Sequence, residues 1–150
     1  MNTIYANDDH IRELVEKIGL ELLPATVAMA AENHLKAHFP LRSHTTIVNW
    51  PELPSKVLQW NNITDEDSVD WAMTTSAGRH DYGLLLYAGD QPCLLGDFPL
   101  MIRSFDELVW KAPGCRLLFG VNRADDGSIE FTNGIIEFNG KGELFASTRG

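Results

Sequence analysis

His34 and His38 stand four residues apart in a stretch that reads as helix, so both side chains point to one side. With His44 they form a three-histidine set, and zinc needs three or four converging ligands. The arrangement His-Glu-x-x-His of a hydrolytic zinc helix is absent. Two histidines just before Pro40 also suit a helix C-terminus, where positive charge is favoured. The expectation is no metal and no other cofactor. A second group, Arg79-His80-Asp81-Tyr82, sets a base beside an acid. Neighbours in an extended chain point to opposite faces, so adjacency speaks for a polar turn rather than a dyad. There is no Gly-x-Ser-x-Gly elbow and no Lys-bearing phosphate loop. Cys93 and Cys115 fall in apolar strand contexts, as buried reduced thiols do, and no Cys-x-x-Cys is present. No catalytic residue is assigned. A small hydrolase using His80 or a His34/His38/His44 site stays as an alternative.

The acidic side chains are distributed differently. No basic residue occurs between Lys56 and Arg79, and that interval holds Asp65, Glu66, Asp67 and Asp70. Trp60 and Trp71 flank them. Tryptophan is enriched at the centres of protein interfaces, although it also fills cores. Together Trp60, Asp65, Glu66, Asp67, Asp70 and Trp71 are the expected partner-binding residues, suited to a cationic protein. The whole chain carries 12 Lys+Arg against 21 Asp+Glu, a formal net charge of −9. Such a surface repels phosphate backbones, which disfavours nucleic acid as a partner.

The elements that must position these residues follow from periodicity and turn chemistry. Ile11, Leu14, Val15 and Ile18 make one helix face, with Asn7 as a cap and Gly19 as a stop. Pro24 opens a second helix over Ala25 to Phe39, and the two are expected to form an N-terminal helical hairpin. Thr45 to Trp50 is β-rich, and Val57 to Trp60 suits a short strand or helix. Thr64-Asp-Glu-Asp67 looks like a helix start, with a strand over Val69 to Thr75 as the rival reading. Short strands are expected at 82–87, 93–98, 115–121, 128–132, 135–139 and 143–147, separated by Gly, Asn and Asp turns. Tyr82 to Tyr87 is apolar on both parities, as in a strand covered on both faces. Ser104-Phe-Asp-Glu107 is a capping box that predicts a helix over 104–112. Leu84, Leu86, Leu108, Leu117, Phe119 and Phe131 are the expected core.

The fold class is therefore α+β, one domain over 1–150. It has the helical hairpin and one or two further short helices packed on one face of a twisted antiparallel sheet of about five to six strands. No apolar run is long enough to span a membrane and no secretory signal opens the chain, so a cytoplasmic protein is expected. A small acidic domain without a catalytic signature is similar in kind to bacterial immunity proteins, which neutralise a toxin by covering it. By that likeness the chain would bind a basic toxin, a nuclease for example, aided by electrostatic steering. The other classes in view are the hydrolase above and a self-associating regulatory domain, a homodimer through an exposed sheet edge.

Overall fold

The computed structural model describes residues 9–43, 47–59, 64–86, 93–104, 116–138 and 143–148. Four helices and seven strands appear among them. In chain order they are α1 (Asp9–Ile18), β1 (Glu21–Leu23), α2 (Ala25–His38), β2 (Ser55–Gln59), α3 (Asp65–Ala72), β3 (Tyr82–Leu86), β4 (Cys93–Asp97), α4 (Phe98–Arg103), β5 (Arg116–Arg123), β6 (Ile129–Phe138) and β7 (Glu143–Ser147). The strands form one sheet in the order β1-β4-β3-β5-β6-β7-β2. Every pairing in it is antiparallel.

Both faces of this sheet are covered. Leu84 and Leu86 join α2, Val48, Trp50 and Leu53 in one apolar cluster. Leu85 joins Val69, Phe98, Met101 and Ile102 of α3 and α4 in the other, with Val15 and Ile18 of α1 packed against it. Side chains alternate across a strand, so an apolar run such as Gly83–Leu86 feeds both clusters at once. The expectation of helices on one face is thus corrected. The helical hairpin is not formed either: β1 separates α1 from α2, and the two helices serve opposite faces. The sheet also has seven strands, because Leu22 and its neighbours pair with β4 and Ser55–Gln59 pairs with β7.

Most boundaries follow local chemistry. Gly19 takes φ +85° and ends α1. Gly127, at φ +87°, completes the β5–β6 turn with Asp126, whose carboxylate accepts from Ser128 N and Oγ. Thr64 caps α3, its hydroxyl accepting from Asp67 N at 3.0 Å. The rival strand over 69–75 is not formed. Phe98, expected as the end of a strand, instead opens α4, where Asp97 caps Leu100 N and Pro99 fits the first turn. Of the expected helix 104–112, residues 105–112 lie outside the described residues, as does Leu108. In 45–50, residues 45 and 46 lie outside them, Val48 makes an isolated bridge to Leu41, and Trp50 starts a 3-10 turn.

Candidate functional site

The expected strands 128–132 and 135–139 are one bulged strand, β6. Phe119 pairs with Ile135 and Val121 with Phe131, so β5 advances from 119 to 121 while β6 spans 131 to 135. Thr132-Asn133-Gly134 thus stands opposite the single Gly120 and bulges out, a device that re-aims side chains. The bulge is tied internally. Thr132 Oγ1 donates to Gly120 O at 2.5 Å and accepts from Gly134 N at 3.2 Å. Buried Ser147 on β7 donates its hydroxyl to Asn133 O and accepts from Ile135 N, both at 3.0 Å.

Against this bulge lies the 3-10 turn Ala77–Arg79. A Cβ on Gly120 or Gly134 would strike the Ala77 backbone, so only glycine permits the approach. Ser76 N donates to Ser147 O at 3.2 Å and completes the seam. The turn carries Arg79 and His80 to the mouth of a pocket of about 610 Å3, lined also by His34, His38, Ser76, Phe131, Thr132, Asn133 and Gly134. Two constellations that are distant in sequence, His34/His38 and Arg79/His80, thus share one cavity. Asp81 is exposed and does not line it.

His34 is the best defined of these groups. Its Nε2 lies 2.8 Å from Thr132 O. A carbonyl only accepts, so Nε2 carries a hydrogen, and in the neutral ring Nδ1 keeps the lone pair. The ring stacks on Phe131, centroids 5.5 Å apart, and lies 4.4 Å from the His38 ring. Burial holds its pKa below the ordinary 6.5, the Thr132 carbonyl opposes that, and His38 adds to it. Of the expected three-histidine set, His34 and His38 lie side by side, and His44 lies outside the described residues. Among the described residues no three His, Cys, Asp or Glu side chains are grouped to hold a metal ion.

The acidic segment forms a separate surface, on the sheet face that carries α3 and α4. Glu66, Asp67 and Asp70 are exposed on α3, and Trp71 is half-buried against the core beneath. Arg103 of α4 grips Glu66, with Nε 2.7 Å and Nη2 3.3 Å from its two oxygens, and holds the Glu66 carboxyl below its ordinary range. Lys56 Nζ sits 5.9 Å from the Trp71 ring centroid. The gap in basic residues along the chain is therefore partly closed in space. Trp60 lies outside the described residues, and of Asp65 only its place at the start of α3 is described.

Phe131, Thr132, Asn133 and Gly134 went unrecognised as site residues, because Thr-Asn-Gly between two β-rich runs reads as a turn. Glu137 was also missed. It is buried on β6, and burial raises its pKa, opposed by the Trp50 indole N–H and by Arg42. That indole N–H falls short of a geometrical hydrogen bond and has no other partner among the described residues. Cys93 is a free buried thiol, pushed up to about 12 by desolvation, which suits packing rather than nucleophilic work. Its relation to Cys115 lies outside the described residues. No helix among the described residues is long and apolar enough to cross a membrane. No model of a known protein family matches this chain, and no curated protein matches it.

Proposed function

We propose that this chain is an acidic protein-binding module of the immunity type, which covers a cationic partner, such as a nuclease toxin, in the cytoplasm. The observation that supports it is the outer surface of α3. Asp67 and Asp70 are exposed there and make no ion pair with a described base, beside Glu66 and a half-buried Trp71. Exposed charge of one sign accelerates encounter with the opposite sign, and an aromatic base beneath it supplies apolar contact. Trp60 and Asp65 belong to the same proposed surface by sequence. The test is a titration of the partner recovered from source cells against wild type and the quadruple variant Asp65→Asn, Glu66→Gln, Asp67→Asn, Asp70→Asn. Association should slow and its salt dependence flatten. Unchanged affinity together with an unchanged salt slope would remove this surface from the interface.

The shared pocket favours a second reading, a small hydrolase using His80 with His34 and His38. Among the described residues its lining has no carboxylate to orient an imidazole. Ester turnover that disappears in His80→Ala would put this reading first.

A further inference from the structure

The pocket beside β6 has a charge opposite to that of the rest of the molecule. The chain has a formal net charge of −9, yet among the described residues the charged and titratable groups lining this cavity are Arg79, His34, His38 and His80, with no Asp or Glu. Arg79 makes no ion pair with any described carboxylate. A guanidinium left in this state presents a planar fork of donors that matches a carboxylate or phosphate. The cavity, at about 610 Å3, is within the range of small-molecule sites. It also has an aromatic wall, Phe131 stacked with His34 at an interplanar angle of 26°. Its frame is preset, since the bulge, Ser147 and the glycine-seated turn are bonded or packed to one another before any ligand arrives.

We infer that this pocket binds a small organic oxyanion, its carboxylate or phosphate group held by Arg79 and the imidazoles and its planar or apolar body laid against Phe131. A divalent metal is a poorer fit. Among the described residues no three His, Cys, Asp or Glu side chains are grouped to hold one, and His34 offers only Nδ1, its Nε2 being committed to the Thr132 carbonyl. An anion needs no such set, because Arg79 donates to it and His34 Nδ1 becomes a further donor when it takes a proton. The charge of an anion also offsets the burial and the His38 repulsion that now disfavour the His34 imidazolium. The inference is independent of the α3 surface and of any turnover: it concerns binding alone.

The experiment is a titration of the full chain near neutral pH, followed by the imidazole ring proton resonances. The probes are phenyl phosphate, benzoate and, as the uncharged counterpart, benzyl alcohol, at constant chloride. At least one anion should shift the His34, His38 and His80 signals saturably, and benzyl alcohol should not. Arg79→Ala should weaken that binding about tenfold or more, which corresponds to roughly 1.4 kcal/mol. Arg79 is exposed, so the variant should keep its fold, checked by circular dichroism, and Arg79→Lys should retain part of the affinity. Tighter binding of phenyl phosphate assigns the site to phosphates, and tighter binding of benzoate assigns it to carboxylates. Three results would each overturn the inference: no saturable shift with either anion, equal shifts with benzyl alcohol, or wild-type affinity in Arg79→Ala.

Discussion

The acidic face of α3 and the cationic pocket beside β6 are built in opposite ways. The α3 face is one helix, continuous in sequence, and its charges are solvated; Arg103 from α4 and Lys56 from β2 approach from elsewhere only to soften it. The pocket is drawn from three segments, 34–38, 76–80 and 131–134, and none of these is charged enough to stand out alone. What holds them together is backbone: the Thr132 carbonyl taken by His34, and two glycines that let the Ala77 turn sit on the sheet. A surface made of adjacent residues can lose one of them and persist. A surface made of converging segments depends on the packing behind it.

Leu35→Ala is the strongest way to separate the two regions. Leu35 is fully buried on α2, next to His34 and about one turn before His38, and anchors the helix on the sheet. Its truncation should cost about 2–5 kcal/mol, the usual range for a buried leucine. Denaturant melts measure the loss, and the imidazole signals should move while the α3 signals stay in place. A cost near zero would mean that α2 is not anchored by this residue and that the pocket wall stands without it.

Gly134→Ala should come next. The added methyl would fall 2.6 Å from the Ser76 carbonyl carbon and against the Ala77 backbone, groups that cannot rotate away. Overpacking of this kind typically costs about 1–3 kcal/mol. The same melts apply, and oxyanion binding should fall with stability. A variant as stable as wild type would show that the Ala77 turn is not seated on the bulge.

The smallest expected effect is a pH dependence that belongs to the pocket and not to α3. The native pKa of His34 lies below its ordinary 6.5, so the unfolded chain binds this proton more readily than the native state does. Stability should therefore be unaffected by His34 above 6.5, fall as pH drops through the window below it, and level off under the lowered value. His34→Gln keeps a donor for Thr132 O and removes the titration, so its melts should show a shallower decline across that window. Identical slopes in both proteins would assign the acid sensitivity to other groups.

Several elements were legible in the sequence for local reasons. The cap of Thr64, the stop at Gly19 and the Asp125-Asp-Gly127 turn are contacts within a few residues, and each formed as its residues dictate. β7 occupies the expected 143–147, and Leu84, Leu86, Leu117 and Phe119 are buried as expected, while Phe131 is only partly so. The misreadings share a cause. Val15 and Ile18 on α1 and Leu35 on α2 announce apolar faces, but periodicity does not say which side of a sheet will cover them. Thr132-Asn133-Gly134 has turn composition, and only the pairing of β5 with β6 makes it a bulge.

The sequence by itself determined the two-sided apolar strand of Tyr82–Leu86, the Thr64 cap that starts a helix and the excess of acid after it, because each rests on spacing along the chain. Tertiary structure alone decided that helices cover both faces, that Arg103 answers Glu66, and that His34, His38, Arg79 and His80 line one cavity. The physical reason is range. Propensity, caps and turns act over a handful of residues, whereas the distance between positions 34, 79 and 132 is set by strand register and by how closely a glycine lets one backbone approach another.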